Sequence, residues 1–163
     1  MNPFELGTQK VIPAVLVYIF RGSQILMIHK KSEIWNGLGG KCEFNESSLR
    51  TAQREVFEES GIDLSESELK PLGFLQFPNF KAQKNEDWLV FVFYAELGEN
   101  DPRQPKDTSD EGDLHWIASK DVDSLNLWPG DRYFIPFVVK RKPFMGTLWY
   151  EHGQVTRHWL QQL

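Results

Sequence analysis

Three glutamates carry the clearest chemical signal in the sequence. Glu55, Glu58 and Glu59 stand at i, i+3 and i+4, positions that share one face of an α-helix. At 3.6 residues per turn they span roughly 100° of the helical wheel. Like charges at this spacing repel by about 0.2–0.5 kcal/mol per pair. They also fall in the last turns of the expected helix, where the dipole disfavours anions. A cation would offset both costs. Clustered carboxylate oxygens suit hard ions such as Mg²⁺ or Mn²⁺, which keep several waters and share their shell with substrate phosphates. An ion held this way polarises a phosphoryl group and lowers the pKa of an attacking water. The alternative is a plain solvated acidic face, the commoner fate of a charge run. Two features favour a site. Leu49, Ala52 and Val56 form an apolar stripe directly beside the acidic edge, so the carboxylates border the core. A glycine-rich run containing Gly37, Gly39 and Gly40 leads into the helix.

The elements that must position these groups follow from pattern. The helix is expected over about 47–60, capped by Asn45 or Ser47 and ended by Gly61. Residues 11–20 are β-rich, 21–24 read as a turn and 25–29 as the returning strand. Residues 32–41 read as a glycine-rich loop. Strands are expected at 72–77 and 88–96, with a polar loop over 78–87 between them. Residues 98–113 hold Pro102, Pro105 and many charges, an exposed connection before a short strand at 114–118. A second helix is expected over 131–142, with Lys140, Arg141 and Lys142 at its negative end and Pro143 beyond. Pro136 would mark a kink or a later start. A last strand is expected at 147–150, and a strand or helical turn over 155–163. Strands and helices mix without regular βα alternation, which predicts an α+β sandwich with a mixed sheet. A chain of 163 residues suits one domain, 1–163, around one core.

Composition bounds the partners. The net charge of −5 argues against bulk electrostatic binding of a nucleic-acid polymer, which needs a basic face. A small phosphorylated ligand remains compatible, because a bound cation reverses the local sign. Cys42 is the lone cysteine, so no internal disulfide forms and a reducing compartment is the simplest setting. The N-terminal MNPFELGTQK lacks a basic region followed by an apolar stretch, so no signal peptide is expected. The apolar run 11–20 is about half the ~20 residues of a spanning helix. These features predict a cytoplasmic protein with no membrane partner. His29, His115, His152 and His158 show no ligand spacing, and nothing in the sequence specifies an oligomeric state.

The segment GKCEFNESSLRTAQREVFEESGI, residues 40–62, resembles a complete Nudix box. The pattern runs Gly, five residues, Glu, seven residues, then Arg-Glu-apolar-any-Glu-Glu-any-Gly-apolar. Gly40, Glu46, Arg54, Glu55, Val56, Glu58, Glu59, Gly61 and Ile62 meet every defined place. A chance match is on the order of one in 10⁹ per start position at average residue usage. The resemblance implies the Nudix fold, an α/β/α sandwich with a mixed β-sheet. It implies that Glu55, Glu58 and Glu59 hold Mg²⁺ or Mn²⁺, with the Gly39 carbonyl a further ligand. It also implies that Glu46 and Arg54 pair to fix the loop against the helix, around Gly40 and Gly61.

WNGLGGK, residues 35–41, is similar to the entry to the box in MutT-type enzymes, most of all the animal diphosphatases that clear oxidised purine triphosphates. Glu111 five residues before Trp116, WPGDRYFIP at 128–136 and KRKPFMG at 140–146 extend the similarity over most of the chain from about residue 11. Carried over, Asn36 hydrogen-bonds the base, Trp128 stacks on it, Phe77 forms the opposite wall and Asp131 reads the purine edge. Lys30 lines the nucleotide pocket, and Glu111 is a distal metal ligand or a general base. The implied activity is Mg²⁺-dependent hydrolysis of purine nucleoside triphosphates such as 8-oxo-dGTP to monophosphate and pyrophosphate, with Glu55 or Glu111 taking the proton. One place departs. The animal enzymes carry two adjacent acids after Trp-Pro, and this chain has Gly130 before Asp131. Losing one base-reading partner predicts weaker discrimination among purines. The alternatives are the same chemistry on another nucleoside diphosphate derivative, such as a sugar or dinucleotide, or a nucleotide-sensing module without catalysis. The intact box disfavours the second.

Overall fold

A computed structural model describes residues 8–163; of the expectation that the N-terminus carries no signal peptide, the part on residues 1–7 lies outside them. The frame is one mixed sheet built on β1 (Lys10–Arg21), whose residues 14–20 are all buried. A strand covered on both faces is apolar at every position, which is why this segment reads as a run and not an alternation. Its neighbours are β2 (Gln24–Lys30), returned by a turn at Gly22 and Ser23, and β4 (Leu38–Lys41), both antiparallel. On the other side runs β6 (Glu86–Leu97), parallel over its whole length. β3 (Trp35–Asn36) pairs with β2. β5 (Lys70–Lys81) adds antiparallel to β6, then β9 (Phe144–Glu151) parallel to β5, then β10 (Gln154–Gln162) at the edge. Beyond β2 lie β8 (Gly112–Ala118) and β7 (Thr108–Ser109).

Two helices cover the sheet. α1 (Ser48–Ser60) packs Ala52 and Val56 against Val15, Val17 and Ile19. α2 (Asp131–Val139) packs Phe134, Ile135 and Val138 on the opposite face, with Leu16, Tyr18 and Phe20. Alternate residues of β1 thus face alternate helices, and the expected α/β/α layering with a mixed sheet is what the chain adopts. Burial explains why α1 tolerates its acidic edge. Val56 alone contributes about 1.5–3 kcal/mol by leaving water, more than its glutamate pairs cost. Ser47 caps the helix by accepting the Arg50 N–H at 3.1 Å, and Gly61 ends it at φ 77°.

Four expectations change. The run 32–41 is not a loop but contains β3 and β4. Gly39 adopts φ 155°, and a Cβ there would sit 2.1 Å from the Val15 carbonyl oxygen, so glycine serves close strand pairing rather than a turn. The segment 78–87 is mostly strand, because β5 bulges at Asn79 (φ 62°) and continues to Lys81. The connection 98–113 carries β7 and is tied down, with Lys106 N–H donating to the Ser60 carbonyl at 2.9 Å. The second helix stops at Val139, not Lys142, because Arg141 turns left-handed at φ 52°. No helix among the described residues is long and apolar enough to cross a membrane.

Candidate active site

α1 aims its glutamates in different directions. Glu59 is buried, at 4% exposure, and one of its oxygens accepts the Gly39 N–H at 2.7 Å. Glu55 is half-buried beneath β4. A Cβ on Gly40 would lie 2.4 Å from its carboxylate, so the bare glycine makes room for it. Glu58 is exposed. Arg54 gathers the surrounding acids. Its Nε and Nη2 donate to both oxygens of Glu46 at 2.8 and 2.9 Å, a paired geometry that a guanidinium favours. Nη1 reaches Glu55 at 2.9 Å and Glu58 at 3.3 Å, and Nη2 also donates to the Lys41 carbonyl at 3.1 Å. Glu46 further accepts from the Thr51 hydroxyl at 2.6 Å and the Glu43 N–H at 3.1 Å. This network clamps the β4–α1 loop to the helix.

Electrostatics separates these carboxyls. Hydrogen bonds from Arg54 hold Glu46 down at about 2. Burial pushes Glu59 up to about 8, aided by Glu55 and Glu111 and opposed by the Gly39 N–H and Lys30. Burial also raises Glu55, against the pull of Arg54. Glu55 and Glu59 therefore carry an unmet demand for positive charge. Carboxylate oxygens with such a demand are a donor set that fits a hard divalent cation. Among the described residues, no three His, Cys, Asp or Glu side chains converge into a ready cage. An ion that keeps waters and shares substrate phosphates does not require one.

A cavity of about 710 Å³ opens beside this corner. It is lined by Gly39, Gly40, Arg54, Glu55, Lys30 and Glu111, and also by aromatic groups with Asn36 and Asp131. Lys30, at the end of β2, lies 3.7 Å from Glu111, in the turn between β7 and β8. Glu58 and Glu59 line a neighbouring groove instead, together with Lys31, Lys106 and Asp110. Glu55 and Glu111 border both spaces. Of the residues singled out in the sequence for ligand contact, Lys30, Asn36, Gly39, Glu55, Phe77, Glu111, Trp128 and Asp131 line the cavity, whereas Glu58 and Glu59 line only the groove beside it. Phe77 is at once core and cavity wall. Trp128 meets Phe80 edge-on at 5.7 Å, with the Lys81 ammonium 5.3 Å from its ring.

Phe80, Lys81, Trp88 and Tyr150 also line the cavity, and sequence reasoning missed them. Phe80 and Lys81 fell inside the supposed polar loop. The aromatic Phe80, unusual in a polar loop, was the available signal, and nothing in the sequence pattern marked Lys81.

Asp131 is the first residue of α2, 3% exposed, with one carboxyl oxygen lacking any partner. Burial pushes it up to about 8. The unfolded carboxyl ionises near pH 4 while the folded one keeps its proton. Stability from this group is therefore complete below pH 4 and declines as pH rises towards 8, by up to about 1.4 kcal/mol per pH unit. Asp131→Asn should match the parent at pH 3.5 and exceed it increasingly towards pH 8. Urea denaturation across that range measures the difference, and parallel pH curves would contradict it.

Comparison with known proteins agrees with this architecture. The NUDIX domain model matches residues 10–138. The oxidized purine nucleoside triphosphate hydrolase of Mus musculus is 30% identical over 135 residues, covering 80% of this chain and 81% of that protein. The protein of the same name from Danio rerio is 28% identical, covering 96% and 97%. A crystal structure of a MutT protein from Bacillus halodurans superposes with a TM-score of 0.81 at 25% identity, covering 92% of this chain and 97% of that one. With most of its length matched and its sheet and helices in the same arrangement, this chain belongs to the Nudix family of pyrophosphohydrolases.

Proposed function

We propose that the protein hydrolyses purine nucleoside triphosphates, oxidised purines such as 8-oxo-dGTP among them, to the monophosphate and pyrophosphate with Mg²⁺. The observation that carries this reading is one cavity lined both by carboxylates and lysines and by aromatic side chains with buried polar groups. Those two kinds of lining suit the two parts of a nucleotide, its phosphates and its base. The names of the mouse and zebrafish relatives support the substrate class.

Glu55, Glu58 and Glu59 would hold the ion, with the Gly39 carbonyl and Glu111 as further ligands. Once bound, the ion polarises phosphoryl oxygens and lowers the pKa of the attacking water. Lys30 balances phosphate charge. Trp128 stacks on the base opposite Phe77, and Asn36 and Asp131 hydrogen-bond its edge. The proton of the water would pass to Glu55 or Glu111.

The test is kcat/KM with Mg²⁺ for 8-oxo-dGTP, dGTP, 2-oxo-dATP and a nucleoside diphosphate sugar. A purine triphosphate, oxidised or not, should be preferred by at least about tenfold over the sugar. Activity on the sugar alone would refute the assignment of Asn36, Trp128 and Asp131 to a purine.

A further inference from the structure

At Gly130, where the animal diphosphatases that the sequence resembles are expected to carry an acid, the space beside the backbone is filled from another strand. A Cβ at Gly130 would lie 2.3 Å from the Tyr150 hydroxyl and 2.9 Å from Leu148 Cδ1. No side chain fits at 130 while Tyr150 keeps its place. The Gly130 N–H donates to that hydroxyl at 3.1 Å. Tyr150 is 4% exposed yet lines the same cavity as Asp131 and Asn36. Its ring is held edge-on by Phe77 at 5.7 Å and Phe80 at 5.0 Å.

With the phenol oxygen engaged as an acceptor, its proton must be donated elsewhere. Among the described residues it has no acceptor. Asp131 Oδ2 and Asn36 Oδ1 are also buried without partners. Unpaired buried polar groups around one cavity are costly unless a ligand completes them.

We propose that Tyr150 is a specificity-determining residue of the nucleotide pocket, its hydroxyl donating to a keto oxygen of the bound purine and so favouring oxo-purines over amino-purines. The proposal rests on the nucleotide reading of the cavity given above. An ionised carboxylate at 130 would only accept hydrogen bonds, whereas the phenol fixed by the Gly130 N–H donates. An oxo-purine presents a carbonyl beside a ring N–H. The carbonyl takes the Tyr150 proton, and the ring N–H donates to the carbonyl oxygen of the Asp131 carboxyl. An amino-purine sets an N–H donor against the phenol donor, or turns the phenol proton into a wall with no acceptor.

Inosine and adenosine monophosphates differ only at this edge, and their binding can be read by calorimetry without metal or turnover. The wild-type protein should bind inosine monophosphate about tenfold more tightly, the worth of one well-made hydrogen bond. Tyr150→Phe should lose most of that ratio by weakening the inosine ligand, with adenosine affinity within about threefold of wild type. Gly130→Ala, which displaces the hydroxyl without deleting it, should lose the ratio too. A variant that weakens both ligands equally and keeps the ratio would assign Tyr150 a purely structural role and overturn the proposal. So would a wild-type protein with no preference, which requires no variant to fold. If the wild type also fails to hydrolyse any nucleoside triphosphate with Mg²⁺, the nucleotide reading falls. Hydrolysis without oxo preference removes only the role of Tyr150.

Discussion

Glu59→Gln is expected to lower Mg²⁺-supported pyrophosphate release by about 10²–10³-fold, the scale seen when one charged or polar group aimed at a developing charge is removed. The fold should persist. Glu59 touches the Gly39 N–H through one oxygen at 2.7 Å, and the amide oxygen of Gln can accept the same bond. Glu59 is 4% exposed and pushed up to about 8 by burial, so removing its charge relieves a cost in the metal-free protein. The variant should therefore be at least as stable as the parent without metal and gain less on adding Mg²⁺, since only an ion bound to the native state stabilises it. Steady-state kinetics with thermal melts at several Mg²⁺ concentrations would read both effects. Activity within about threefold of wild type would remove Glu59 from the ion-holding set.

Arg54→Met should cost about 1.5–3 kcal/mol of stability, the scale of hydrogen bonds to a charged group in a part-buried place. Arg54 holds both oxygens of Glu46, reaches Glu55 and Glu58, and ties the Lys41 carbonyl. Without it, the half-buried Glu46 keeps only the Thr51 hydroxyl and the Glu43 N–H. The sign with pH follows from Glu46, held at about 2 by Arg54. A carboxyl depressed in the folded state contributes stability above its unfolded pKa of roughly 4.3, lost as pH falls through the folded value. The parent should therefore lose stability between about pH 4 and pH 2 more steeply than Arg54→Met. Equal acid limbs in guanidinium titrations would show that the pair is not what fixes the loop.

The sequence disclosed the chemistry of this corner better than its walls. Glu55, Glu58, Glu59, Arg54 and Glu46 lie close in sequence on one loop and one helix, where spacing translates directly into geometry. The central strand and α1 were legible for the same reason, through a continuous apolar run and a capped amphipathic pattern. The distribution of the glutamates was not. Helical spacing groups all three, yet Glu59 tucks under β4 while Glu58 faces solvent, because the sheet lies to one side of the acidic edge. Gly39 and Gly40 looked like turn residues, but they are a strand whose missing side chains admit the Val15 carbonyl and the Glu55 carboxylate. Tyr150 lay beyond reach of pattern. Its partnership with Gly130 joins β9 to the start of α2, a contact made by tertiary packing alone.

Metal-dependent cleavage to the monophosphate is read most directly by product analysis of 8-oxo-dGTP and dGTP turned over with Mg²⁺ and, in parallel, with excess chelator. Nucleoside monophosphate and pyrophosphate should appear in equal amounts, with turnover abolished by the chelator and restored by added Mg²⁺. Release of single phosphates with nucleoside diphosphate accumulating, or turnover indifferent to the chelator, would contradict it.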